Sequence, residues 1–259
     1  MAGLLAGKVC AITGGVTGIG RAIAIEYLRQ GASVVVNHLG DSASESHFQE
    51  MLKQVPNDSK NKLIASSGDI GKKETGQKLV SDAVKAFGSL DVFVANAGVS
   101  VFADFLDMDD EIFELHNHVN VRGTFYSTQA AAKQMVSQGR GGSIIGIASI
   151  SALVGGEEQV HYTPTKSAVL SMMQSQACAL GKYGIRCNAL LPGTTKTQLA
   201  VSDLAKPGKL KYLEERIPLG RVADPEDMAG PAVFFASDMS RYCTGAQLLC
   251  DGGLFVHLQ

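Results

Sequence analysis

The chain lacks an excess of either charge: 23 basic against 25 acidic residues leave a formal net charge of −2. That balance gives no electrostatic footprint for nucleic acid or an anionic membrane as partner. No apolar run reaches about 18 residues, so no membrane span is expected. The first stretch, "MAGLLAGKVCAITGG", has no basic region before its short apolar segment and passes directly into a strand pattern, so no signal peptide is expected. The five cysteines (Cys10, Cys178, Cys187, Cys243 and Cys250) are odd in number and lack metal-ligand spacing. Most lie in apolar stretches, which predicts reduced core thiols in a cytoplasmic protein. Internal repeats, low-complexity tracts and linkers are also missing. The 259 residues, 45% of them apolar, therefore read as one domain with a substantial core.

What is present is alternation. Short β-branched apolar runs at 8–13, 33–37, 62–66, 91–96, 143–148, 185–191 and 246–250 are separated by helical patterns near 18–30, 43–54, 72–87, 108–138, 157–182 and 225–237. Nearly continuous apolar runs suit strands covered on both faces, as in a parallel sheet. Gly31 is a C-cap candidate for the first helix. The pattern predicts a single Rossmann-type, doubly wound α/β domain with right-handed crossovers. The least regular stretch, 193–220, follows a strand's C-terminal end, where α/β ligands bind, and is a candidate substrate lid.

Glycines at 14, 18 and 20 lie between the first strand and first helix, in "TGGVTGIG". Such a turn lets backbone approach a pyrophosphate and offers helix amides to the anion. The spacing G-x-x-x-G-x-G differs from the usual G-x-G-x-x-G dinucleotide fingerprint. Gly14, Thr17, Gly18, Ile19 and Gly20 are the candidate phosphate-binding residues. After the second strand, Asn37 occupies the position where an acid favours NAD, and His38 follows it; neither charge signature is present, so both NAD and NADP fit. Asp69 and Ile70 after the third strand are candidates for the adenine, and Asn96, Ala97 and Gly98 end the fourth strand with groups small enough for close approach.

Ser149 lies at the end of a strand, and thirteen residues later Tyr162 and Lys166 stand four apart, one helical turn, with Pro164 between them. A phenol's pKa of about 10 makes it a poor base near neutral pH, and a nearby ammonium lowers it. That trio suits removal of a proton from an alcohol. Pro164 is tolerated if Tyr162 lies in the first turn of its helix, where the missing amide has no intrahelical partner. Ser149, Ser151, Gln159, Tyr162 and Thr194, with Ser100, His161 and Thr195 nearby, would offer hydrogen bonds to a polyol. His161 reads as a pocket-rim or packing residue. The "HNH" at 116–118 lacks a third ligand with metal spacing, so no metal is expected, and "DMDDEIFE" at 107–114 reads as acid at a helix start.

Jointly, "TGGVTGIG", "NAG" at 96–98, "VNVRGTF" at 119–125, Ser149, Tyr162–Lys166 and "PG" at 192–193 resemble the short-chain dehydrogenases/reductases over essentially the full length. The resemblance implies a seven-stranded parallel sheet, a homotetramer or dimer, and NAD or NADP as cofactor. It implies Tyr162 as acid/base, Lys166 on the nicotinamide ribose, Ser149 on the reacting oxygen and Asn120 holding a water that links Lys166 to solvent. Pro192, Gly193, Thr195 and Thr197 would meet the nicotinamide end. Further stretches ("SISALVGG…HYTPTK", "CALGKYGIRCNALLPGT", "RIPLGR", "ASDMS" and "DGGLFVHLQ") resemble the family's L-rhamnose-oxidising branch, which turns the sugar into its lactone. The sequence leaves open a ketone or 3-ketoacyl reductase, or a dinucleotide-binding protein without catalysis.

Overall fold

Residues 3–56, 59 and 62–257 are described by the computed structural model. In chain order the elements are β1 (Val9–Ile12), α1 (Gly18–Arg29), β2 (Ser33–His38), α2 (Ser42–Gln54), β3 (Leu63–Ser67), α3 (Lys73–Phe87), β4 (Val92–Ala95), α4 (Asp110–His116), α5 (Thr124–Gln138), β5 (Gly142–Ile147), α6 (Tyr162–Leu180), β6 (Ile185–Pro192), α7 (Val201–Leu204), α8 (Lys209–Arg216), α9 (Ala229–Ala236) and β7 (Gln247–Cys250). The strands form one parallel sheet in the order β3-β2-β1-β4-β5-β6-β7. The fold is the expected doubly wound α/β arrangement. Its strand order reverses between β1 and β4, where an open sheet leaves a crevice at its carboxyl edge.

The apolar strands are explained by burial on both faces. Along β1, Cys10 and Ile12 enter the core beneath α1, α2 and α9, with Ile23, Tyr27, Met51 and Phe235. Val9 and Ala11 enter the opposite core beneath α3, α5 and α6, with Leu79, Met135, Val169 and Met173. Successive residues of a strand face opposite sides, so both must be apolar. Each large side chain buried this way contributes on the order of 2 kcal/mol. Tyr27 closes its layer by donating its hydroxyl to the Ala232 carbonyl at 2.9 Å.

Three expected helices differ from the folded ones. The pattern at 108–138 divides into α4, a π-helical turn over Asn117–Gly123 and α5. The i→i+5 turn absorbs an extra residue without a proline. Gly123 at its end packs on Ile70 so closely that a Cβ would lie 3.0 Å from Ile70 Cγ2. The helix expected from 157 begins at Tyr162, which makes Pro164 its third residue, as the proline argument requires. The pattern at 225–237 is a 3₁₀ turn capped reciprocally by Asp224 and Asp227, followed by α9.

Segment 193–220 is more regular than its sequence suggests. It carries α7 and α8, and Leu213, Ile217 and Val222 form a small core with Leu204 and Leu254. The cysteines are all free, but Cys178 is exposed on α6 and is no core thiol; only Cys10 and Cys187 are fully buried. No helix among the described residues is long and apolar enough to cross a membrane. Met1 and Ala2 of the N-terminal stretch and the last two residues of "DGGLFVHLQ" lie outside the described residues.

Candidate active site

The loop from β1 to α1 carries Gly14 and Gly18 at φ +59° and +50°, and Gly20 lies within α1's first turn. A Cβ on Gly14 would come within 2.9 Å of the Ala97 Cα, and one on Gly20 would run into the Gly14 carbonyl and the Asn96 amide. These two glycines let the loop nest against the end of β4. Gly18 instead faces Thr197, whose Cγ2 would lie 3.2 Å from its Cβ. Asn96 Nδ2 donates to the carbonyls of Thr13 and Gly14 at 3.0 and 2.9 Å, and Thr13 Oγ1 accepts from the amides of Asn96 and Ala97 at 2.9 Å. Ile19 packs on the core below. Thr17, at the N-cap of α1, makes no side-chain capping bond, and the first turn has no acid. The first amides and positive dipole end are left for an anion, so the loop fits a dinucleotide's phosphates.

Asn37 and His38, the residues expected near the adenosine ribose, are both buried. Asn37 Nδ2 contacts the carbonyls of His38, Ser66 and Gly68 at 3.0–3.3 Å, tying β2 to β3. His38 Nδ1 accepts from the Gly40 amide at 3.1 Å, and its ring stacks on Phe48 at 6.2 Å. Both side chains are committed to packing around α2 and β3. Asp69 accepts from the Gly71 amide and from His118 Nε2, each at 2.9 Å. Burial would raise its carboxyl pKa, but those two bonds hold it below the ordinary value. Ile70 is buried.

At the other end, β5 delivers Ser149, whose Oγ accepts from the Ser151 amide at 3.0 Å. Tyr162 and Lys166 share one face of α6, with the ammonium 5.7 Å from the phenol's ring centroid. Lys166 is buried and donates to the Ile147 carbonyl at 3.0 Å. Burial lowers its pKa to about 8. Burial also pushes the Tyr162 phenol up to about 12, opposed by a hydrogen bond with Ser149. In the protein by itself, desolvation of the phenol outweighs that hydrogen bond, and desolvation likewise disfavours the ammonium.

Asn120 sits in the π-helical turn. Its Oδ1 accepts from the Val99 amide at 2.8 Å, while Nδ2 donates to the Val99 carbonyl at 3.1 Å and to Thr165 Oγ1 at 3.0 Å. Its side chain braces a loop rather than facing open space. Gly98 lies between Asn120 and Lys166, and a Cβ there would meet Oδ1 at 3.3 Å and Nζ at 3.4 Å. Gln159 Nε2 donates to Ser100 Oγ at 3.1 Å, joining two of the expected polar groups. Thr194 is half-buried, and Thr195 turns its hydroxyl to the Gly193 carbonyl at 3.1 Å. Pro192 ends β6, and the Gly193 amide donates to the Cys250 carbonyl at 3.0 Å. His161 is buried against His116, and the two histidines of "HNH" have separate partners: Ile112 and Val101 for His116, Asp69 for His118.

Sequence reading missed Thr13 and Thr165. Thr13 had a weak signal, a hydroxyl ending a strand just before the glycine loop. Thr165 had none, because its partner Asn120 is 45 residues away.

The family model described as Enoyl-(Acyl carrier protein) reductase matches residues 14–255, which take in both ends of this site. A solved short-chain type dehydrogenase/reductase from Mycobacterium marinum is 33% identical and superposes with a TM-score of 0.87 over 96% of each chain. This chain belongs to the short-chain dehydrogenases/reductases. Among relatives of this dehydrogenase, an L-rhamnose-1-dehydrogenase of Scheffersomyces stipitis is 61% identical across 100% of both chains. An L-rhamnose 1-dehydrogenase (NAD(P)(+)) of a Sphingomonas species is 51% identical across 99% of each.

Proposed function

We propose that this short-chain dehydrogenase/reductase oxidises L-rhamnose at C1 to the lactone, with NAD or NADP as acceptor. The observation that carries the reading is the meeting of Ser149, Tyr162 and Lys166 in a chain 61% identical, end to end, to an L-rhamnose-1-dehydrogenase. When bound, the oxidised nicotinamide supplies the hydride acceptor and a positive charge near the phenol. Gly14, Thr17, Gly18, Ile19 and Gly20 would hold the pyrophosphate; Asp69, with the main chain of Asn37, His38 and Ile70, the adenosine; Asn96, Ala97, Gly98, Tyr162, Lys166, Pro192, Gly193, Thr195 and Thr197 the nicotinamide half.

Tyr162 takes the proton of the C1 hydroxyl. Ser149 hydrogen-bonds that oxygen as it becomes a carbonyl. Lys166 stabilises the phenolate. Its own pKa of about 8 puts the ammonium in range to pass a proton on near neutral pH. Asn120 acts by holding this end of the α4–α5 turn against Val99 and Thr165. The remaining sugar hydroxyls meet Ser151, Gln159 and Thr194, since each buried hydroxyl needs a partner. The stretch 193–220 serves as the lid, tied across the pocket by Lys206 Nζ and Glu158 Oε2 at 2.6 Å. Exposed Phe125 and Val136 on α5, with exposed Phe113 and Leu115 on α4, are apolar side chains available for assembly into a homotetramer. Five free cysteines suit the reducing cytoplasm.

Purified protein is screened for reduction of each dinucleotide with L-rhamnose, L-lyxose, L-mannose and D-glucose. Turnover is expected to be best with L-rhamnose. Silence on every aldose, with rapid NADPH consumption on 3-ketoacyl thioesters, would replace this reading with that of a reductase.

A further inference from the structure

Segment 99–103 belongs to no helix or strand, yet its main chain is pinned at every second residue. Val99 is held by Asn120 through both its amide and its carbonyl. Val101 is held in the same manner by two imidazoles: His116 Nε2 accepts its amide at 3.1 Å, and His161 Nε2 meets its carbonyl at 2.8 Å. The Ala103 amide donates to the Glu158 carbonyl at 3.0 Å. Pinning with a period of two is what an adjacent strand would do. It leaves the intervening residues for the other side, where Ser100 meets Gln159 and Phe102 lies under the Lys206 ammonium at 5.1 Å. Those are the neighbours expected of a pocket wall between the start of α6 and the lid.

The two imidazoles form a built unit. Both are buried, at 0% and 1% exposure, and their rings meet edge to face at 4.3 Å and 84°. The His116 ring also meets the Tyr162 ring at 6.3 Å and 87°. Accepting at Nε2 requires His116 to carry its proton on Nδ1, which faces the Ile112 carbonyl at 2.6 Å. Donating at Nε2 requires His161 to carry its proton there, and its Nδ1 has no hydrogen-bond partner among the described residues. The clamp therefore needs a neutral His116 protonated on Nδ1 and a His161 protonated on Nε2, which are opposite tautomers when both rings are neutral.

We propose that His116 and His161 are positioning residues that grip the main chain of Val101, and so set the placement of Ser100 and Phe102 and the affinity for the aldose. The proposal rests on the aldose reading only for its substrate. A phenylalanine in place of His116 keeps an aromatic ring but loses the acceptor, whereas glutamine can supply one. In His116→Phe the KM for L-rhamnose rises about tenfold, the order of one lost hydrogen bond, while kcat and the dissociation constant of the dinucleotide stay near wild type. His116→Gln returns KM toward wild type, and His161→Phe and His161→Gln behave as the same pair. Equal KM values in the Phe and Gln variants would overturn the proposal. The tautomers are tested on the wild-type protein by long-range ¹⁵N–¹H correlation of its histidine rings, which needs no substrate and no altered side chain. Opposite tautomers for the two rings are expected; a shared tautomer, or a charged His116 ring at neutral pH, would contradict the clamp even if L-rhamnose is oxidised. If no aldose is oxidised, opposite tautomers would leave the clamp standing while the functional reading falls.

Discussion

Around Gly14 and Gly20 the site is made of main chain brought close by missing side chains, whereas around Lys166 it is made of side chains held in dry surroundings. In the first region the close approach of the β1 loop to Ala97 and Asn96 is itself the packing, so the geometry that would receive phosphate also stabilises the fold. In the second, burial acts against the groups placed there: the Lys166 ammonium and the Tyr162 phenolate are both disfavoured. Binding geometry and stability point the same way at one end and in opposite ways at the other.

Substitutions at the two ends should therefore differ in sign. The largest effect is expected from Lys166→Met: turnover falls by roughly 10²–10⁴, the usual contribution of acid–base chemistry. Because a buried charge is removed, the unfolding midpoint should not fall, and the gain is of order 1 kcal/mol. Steady-state kinetics and denaturant unfolding check the two halves, and a variant both inactive and strongly destabilised would erase the contrast. Gly20→Ala should do the reverse, losing about 1–3 kcal/mol from forced overpacking and weakening dinucleotide binding, measured by unfolding and calorimetric titration.

The smallest effect concerns pH. Burial holds the His116 pKa below its ordinary 6.5, against the bond to Ile112 and helped by His161. A depressed value means that the unfolded chain takes the proton first, so its contribution to stability is complete above about 6.5 and shrinks as pH falls below it. Asp69, Asp82 and Asp227 are held below 3.8 and act only in more acidic solution. Between pH 7 and 5.5 the wild type should lose up to roughly 1 kcal/mol and His116→Gln less, read from unfolding midpoints at each pH.

The same contrast explains what could be read from the sequence. Glycine spacing and a Tyr–Lys pair one turn apart are local, so 14, 18, 20, 162 and 166 stand out before any fold is known. Pro164 even fixes where its helix begins. The apolar runs define both faces of the sheet because each strand is buried on both sides. Other features depend on contacts across the chain. His161 and Val101 meet over 60 residues, Asn37 reaches Gly68 over 31, and the π-helical turn at 117–123 has the same apolar spacing as the helix expected there. The desolvation of the phenol is hidden from the sequence for a related reason. Charge proximity is visible as spacing, but desolvation depends on everything packed around the pair.

The central claim is that Tyr162 performs the proton transfer while the glycine-built half binds the dinucleotide independently of it. Tyr162→Phe tests both parts in one protein, with turnover of L-rhamnose and the dissociation constant of the dinucleotide measured on the same preparation. The account predicts that turnover is lost while the dissociation constant stays within about tenfold, the cost of one hydrogen bond. Turnover retained in Tyr162→Phe, at a rate near that of the wild type, would contradict it.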